Sequence, residues 1–155
     1  MNHNSRRYFL HAGTALSLAF AAGLLKPSDV FGAEWDGKMF DAKNAAEAIR
    51  ALGGDVAIDS DQVRLSGPEM VNSGFVVPVD MDSKIAGTDL MLVVVQKNPI
   101  PVTAAFRIPP DTVPSISTRI KMGETSTVYG IARANGKFYV GSTMIKVRAG
   151  GGGCG

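Results

Sequence analysis

The residues best suited to chemistry are the last six, Gly150-Gly151-Gly152-Gly153-Cys154-Gly155. Cys154 is the only cysteine of the chain, and it stands one position from the C-terminus behind a run of glycine. Glycine lacks a Cβ and loses the most backbone freedom when ordered, so the stretch reads as a flexible tether. Six extended residues reach at most about 20 Å beyond their last anchored neighbour. A single thiol on such a tether closes no loop in its own chain. What it offers is reactivity at sulfur. Two other uses of the same residues stay open: a disordered end without a role, and an interchain disulfide through Cys154.

Other chemistries are narrowed by what the chain lacks. Both histidines, His3 and His11, fall within the first 33 residues, a stretch that reads as an export signal. Ser5-Arg6-Arg7-Tyr8-Phe9-Leu10 is close to the twin-arginine pattern of a Tat signal, with Arg6 and Arg7 as the pair. The apolar run from Ala12 to Leu25 is softened by Gly13, Thr14, Ser17 and Gly23, too short and too weakly apolar for a stable membrane span. Lys26-Pro27 ends it, and Val30-Phe31-Gly32-Ala33 offers small residues for cleavage after Gly32 or Ala33. An ordinary Sec signal or an uncleaved anchor is the alternative. The expected organisation is therefore a signal at 1–33, a folded domain at 34–149 and an arm at 150–155, with the mature protein in the bacterial periplasm.

A mature chain without histidine carries no Ser-His-Asp triad and no Cys-His dyad. It also has no Cys/His zinc site and no facial-triad iron site. A carboxylate-only Ca²⁺ site around Asp55, Asp59 and Asp61 lacks the EF-hand spacing and reads as a solvated acidic loop. The formal charge of +2 belongs to the signal. Without residues 1–33, which hold Arg6, Arg7, Lys26 and Asp29, the 16 basic and 14 acidic residues become equal at 13 each. A neutral domain with interspersed charge makes no case for nucleic acid or for an anionic membrane. In the oxidising periplasm an exposed unpaired thiol is a liability unless it is used.

The elements that must carry the tail are mostly strands. One short helix is expected first, capped by Asp41, with Ala45, Ala48, Ile49 and Leu52 on one face and Gly53-Gly54 closing it. Strand signals follow at Gln62–Leu65, Gly74–Val79, Asp89–Val95, Val102–Ile108, Ser115–Lys121, Ser126–Arg133 and Lys137–Val147. Pro78 argues for an edge or a bulge in its strand. Asn98-Pro99-Ile100-Pro101 marks a turn, and Asn135-Gly136 between two β-rich runs marks a type I′ hairpin. The pattern is mainly β, an antiparallel β-sandwich with a short N-terminal helix and a Gly-rich C-terminal arm leaving one end. Either the apolar strand Asp89–Val95 or the Pro-rich stretch at Pro109 is available to face a partner. Lys146 and Arg148, just before the arm, are cations near the thiol and read either as solvated strand-end charges or as an attraction for an anionic adduct. Met122, Met144 and the lone Trp35 read as packing or surface residues.

These stretches resemble the SoxY family, the sulfur-carrier subunits of the periplasmic thiosulfate-oxidising Sox system. The resemblance rests on the twin-arginine signal at Ser5–Leu10 and on Pro68-Glu69 leading through Asn72 and Gly74 to Val77-Pro78-Val79. Asn98-Pro99 leading to Phe106, the Arg119–Met122 stretch and the Gly-rich end at Cys154 complete it. SoxY-type chains end in Gly-Gly-Cys-Gly-Gly. This chain has four glycines before Cys154 and only Gly155 after it, which brings the terminal carboxylate one residue closer to the sulfur. The resemblance implies an immunoglobulin-like sandwich that pairs with SoxZ, a second small β-sandwich without an export signal of its own. It implies that a haem enzyme, SoxAX, joins thiosulfate to Cys154, that SoxB, a metal-dependent hydrolase, releases sulfate, and that a sulfane dehydrogenase oxidises the sulfur left behind. The chain itself would then be a substrate carrier with no cofactor, not an enzyme. A secreted interaction module with a tail disulfide is the second reading; a thiol enzyme or soft-metal chaperone is the third, disfavoured by a lone cysteine without histidine.

Overall fold

The computed structural model describes residues 37–148. Gly37–Asp41 forms a 3-10 turn and Ala45–Ala51 the helix α1. Nine strands follow: β1 (Ala57–Asp59), β2 (Val63–Ser66), β3 (Met70–Val71), β4 (Val77–Ser83), β5 (Thr88–Val95), β6 (Val102–Arg107), β7 (Ser115–Ile120), β8 (Ser126–Ala134) and β9 (Lys137–Val147). They build two sheets. One runs β1-β9-β8-β5-β6, with β3 also paired to β9; the other runs β2-β4-β7. No helix among the described residues is long and apolar enough to cross a membrane.

The core lies between the sheets. Val63, Val79 and Met81 from the smaller sheet meet Met91, Val93, Val128 and Ile145 from the larger. The other face of the larger sheet is covered by the helical segment, where Met39, Ala48 and Ile49 pack on Leu90, Leu92, Ile131 and Phe138. This explains the unbroken apolar run in β5. A strand covered on both faces needs no alternation, and every residue from Leu90 to Val95 is buried. That strand is therefore not available to a partner, whereas Pro109 and Pro110 are exposed.

The helix cap is not Asp41, which lies in the 3-10 turn. Asn44 caps α1: its Oδ1 accepts from the Glu47 N–H at 2.9 Å, and the Glu47 carboxylate accepts from the Lys43 N–H at 2.8 Å. Reciprocal bonds of this kind satisfy two donors at once. The end follows the expected pattern. Gly53 has φ +82°, and Gly53 and Gly54 N–H groups donate to Arg50 and Ile49 carbonyls at 3.0 and 2.9 Å, a Schellman closure. Asn135 and Gly136 have φ of 51° and 74°, the type I′ hairpin that sets β8 against β9.

Two features depart from a purely antiparallel sandwich. β1 and β3 both pair with β9 in parallel. The chain runs along β9 to Val140, crosses to the other sheet as β2, and returns to β9 at Lys146 as β3. Gly141 marks the crossing, because a Cβ there would collide with the Val63 carbonyl. Pro78 sits in β4, the middle strand of its sheet, not at an edge. β2 pairs with β4 only from Asp80 to Ser83, so Pro78 falls beyond it and faces β7 alone. A missing N–H costs no ladder bond where no neighbour stands. β4 also starts later than its sequence signal: Phe75 and Val76 lie before it and are exposed.

Candidate functional site: the root of the C-terminal arm

Cys154, Gly150, Gly151, Gly152, Gly153 and Gly155 lie outside the described residues, as do Arg6, Arg7 and Trp35. What the structure defines is the end of β9, which Arg148 follows six positions before Cys154 in sequence. The hairpin at Asn135-Gly136 pairs β8 and β9 out to Ser126 opposite Ile145. Beyond that, β8 has ended and two other groups take over. On one side Val147 N–H donates to Thr125 Oγ1 at 2.9 Å, and the same hydroxyl donates back to the Val147 carbonyl at 3.2 Å. On the other side Lys146 N–H donates to the Glu69 carbonyl at 2.9 Å, and Arg148 N–H to the Val71 carbonyl at 3.0 Å. Strand β9 is thus held on both edges up to its last residue.

Side chains alternate as the pleat requires. Ile145 and Val147 turn into the core, while Met144, Lys146 and Arg148 are exposed on the opposite face. Lys146 Nζ lies 3.3 Å from Glu69 Oε1, with both side chains at least half exposed, so the pair adds little stability. The Arg148 guanidinium makes no ion pair among the described residues. Of the two cations flagged in the sequence, only Lys146 has an ion-pair partner among the described residues. Met122 is fully buried and is a packing residue; Met144 is exposed. Asp55, Asp59 and Asp61 take part in no cluster of three or more metal-binding side chains among the described residues.

The loops around the root are tied to one another. Met122 N–H donates to the Gly74 carbonyl at 2.8 Å. Asn98 Nδ2 donates to the Lys121 carbonyl at 2.7 Å, and its Oδ1 accepts from Gly123 N–H at 3.1 Å. Asn98 is legible in the sequence as a turn residue, but its side-chain clamp on a segment 23 to 25 positions away is not. Thr125 and the two-residue strand β3 were also missed. A two-residue strand shows no period, and a lone threonine carries no motif.

Thr125→Val keeps the shape and removes the hydroxyl, leaving the Val147 N–H without this partner. The expected cost is about 1–3 kcal/mol for a part-buried backbone group stripped of its bond. Amide hydrogen exchange at Val147 and Arg148 checks this: faster exchange confined to the end of β9 is the expected pattern, and unchanged exchange there contradicts the latch.

A family model described as "Sulfur oxidation protein SoxY" matches residues 49–154, a span that includes the latched end of β9 and Cys154. Among solved structures, the sulfur carrier protein SoxY from Chlorobium limicola f thiosulfatophilum is similar at 28% identity and a TM-score of 0.59. The match covers 65% of this chain and 93% of that one. A search of curated proteins finds no match. With two thirds of its length, from within α1 to the terminal thiol, matched by one family model, the chain belongs to the SoxY family of sulfur oxidation proteins.

Proposed function

We propose that the chain is a covalent carrier of sulfur intermediates, that the attachment point is Cys154, and that Gly150 to Gly155 form the arm which presents it. The observation that carries this reading is the family match, which extends beyond the sandwich to Cys154 itself. The firmly held root of β9 supports it, since an arm needs a fixed base. The signal at 1–33 sends the protein through the Tat route to the periplasm, folded together with a SoxZ-like partner.

The chemistry balances as follows. The Cys154 thiol and thiosulfate join through a new S–S bond, releasing one proton and two electrons; the electrons pass to the SoxAX-type haem enzyme. Water then attacks the terminal sulfonate sulfur in the SoxB-type enzyme, sulfate leaves, and a persulfide remains on Cys154 for a sulfane dehydrogenase. The carrier supplies the sulfur nucleophile and its delivery; the enzymes supply the redox and hydrolytic machinery.

Glycine suits this work for two reasons. A chain without side chains can enter a narrow channel. Fixing each residue costs roughly 1–2 kcal/mol of backbone entropy, so each visit is weakly held and reversible. The thiol itself gains nothing from the tail that would favour its anion. No histidine or other basic side chain adjoins it among the glycines of the tail. Activation is therefore left to the enzyme. Alkylation rates measured against pH test this: the expected profile rises only above neutrality, and a plateau already reached well below neutral pH overturns it. The same samples on non-reducing gels separate the second reading, since a constitutive interchain disulfide would leave no alkylatable thiol.

A further inference from the structure

The carrier reading sets a length: Cys154 stands six residues beyond Arg148, so its sulfur reaches about 20 Å at most. An enzyme that receives this sulfur in a recessed site uses most of that length inside its own channel. Its rim must then come against the end of the sandwich from which the arm departs. That end has a defined surface.

Three segments form it: 72–76, 96–101 and 121–125. They are locked together by the Met122 to Gly74 bond and by the two bonds of the Asn98 side chain. The Lys97 N–H donates to Ser126 Oγ at 3.1 Å, and Thr125 ties the same assembly to Val147. On this rigid base three large apolar side chains face solvent: Phe75, Val76 and Ile100 are 54%, 59% and 62% exposed. Around them the charge is one-sided. Lys97 is paired with Glu124 at 3.7 Å and Lys146 with Glu69 at 3.3 Å, whereas Arg119, Lys121 and Arg148 make no ion pair among the described residues. Between Ile100, Val102 and the end of β7 lies a recess of about 360 Å³, flanked by Arg119 and Lys121. Neither of these two side chains has an ion-pair partner among the described residues.

We propose that this end is the docking platform for the enzymes that act on the arm, and that it fits one kind of partner: a channel mouth with an apolar edge and carboxylates beside it, one of which seats between Arg119 and Lys121. The inference rests on the carrier reading. Ordered apolar side chains presented to water mark an interaction site. A platform of a few loop residues gives a small, transient interface, and the cations steer encounter.

Two variants of the full mature chain in its heterodimer test the platform independently, Phe75→Ser/Ile100→Ser and Arg119→Gln/Lys121→Gln. Loading of Cys154 with thiosulfate by the haem enzyme is followed at limiting carrier concentration. Each variant is expected to lower kcat/KM by on the order of tenfold. Only the charge variant should flatten its dependence on ionic strength. Reaction of Cys154 with dipyridyl disulfide, a small reagent that needs no docking, should keep its rate, and the heterodimer should persist on gel filtration. An unchanged kcat/KM in both variants overturns the proposal. So does loss of the heterodimer, which would assign this end to the resident partner. Cys154→Ser run alongside separates the two levels: if it is inactive while both loop variants load normally, the platform fails and the carrier stands; if it still supports thiosulfate oxidation, the carrier reading fails.

Discussion

Cys154→Ser is expected to reduce thiosulfate oxidation to background in a reconstituted system, with no measurable change in stability. The two halves of this expectation have separate causes. Serine offers oxygen where the chemistry needs sulfur. A hydroxyl forms no persistent bond to the sulfane sulfur of thiosulfate under oxidation, so neither the thiosulfonate nor the persulfide stage can exist on it. The change is nearly isosteric, so impaired access to a channel does not explain the loss. Stability should stay within about 0.5 kcal/mol, as for substitutions away from any buried contact, because the described core closes without the tail. Oxygen or cytochrome reduction driven by thiosulfate reads the first half, and thermal melts read the second. Activity near that of the native chain would remove Cys154 from the mechanism.

Gly141→Val is expected to have the largest effect on the fold. The crossing of the chain from β1 to β2 passes directly over Gly141, and a side chain there meets the backbone carbonyl of Val63. The obstacle is backbone and cannot rotate aside. Either β2 lifts from the core, taking Val63 and Leu65 with it, or β9 distorts between its two parallel partners. Overpacking alone costs typically 1–3 kcal/mol, and lost burial adds to it. A total of about 3 kcal/mol or more is expected, against a whole-domain stability of roughly 5–15 kcal/mol. The midpoint of thermal unfolding should fall by more than about 10 °C. Gly130→Ala is the control. It faces Gly141 across the β8–β9 ladder, but its new methyl would meet the Met81 sulfur at 3.1 Å and the Leu65 Cβ at 3.2 Å. Side chains, not backbone, are the main obstacle there, so the loss should be smaller. Equal melting of Gly141→Val and the native chain would show that β2 does not cross where the structure places it.

The contrast between those glycines also shows where sequence reasoning runs out. β5 through β9 were legible because each is long enough to show its pattern: continuous in the doubly covered β5, alternating in β7, punctuated by Asn135-Gly136 between β8 and β9. The end of α1 was legible because Gly53 must take a positive φ. Its start was misplaced, since Asp41 and Asn44 are both good caps and only Asn44 has glutamate three residues on. β1 and β3 were invisible: three and two residues long, they exist because β9 offers a free edge, a property of the assembled sheet. Pro78 misled for a related reason. Whether a proline breaks a ladder depends on how far the neighbouring strand extends, and β2 stops short of it.

The candidate site divides in the same way. The thiol and its glycines stand out from composition alone, because a single cysteine behind four glycines has few uses. The base of the arm does not. Thr125 is joined to β9 through its hydroxyl, and Glu69 and Val71 through their carbonyls, in bonds made only after folding, and no spacing in the chain announces them. In sequence Phe75 and Val76 look like strand residues and Ile100 like part of a turn. Only the structure puts all three on the surface.

The most direct test of the account is the intact mass of the protein isolated from periplasm of cells oxidising thiosulfate, followed by fragmentation of the C-terminal peptide. The account predicts a ladder of added sulfur and sulfonate masses, all located on Cys154 and all removed by a thiol reductant. A single unmodified mass under active thiosulfate oxidation, or additions that map anywhere other than Cys154, would contradict it.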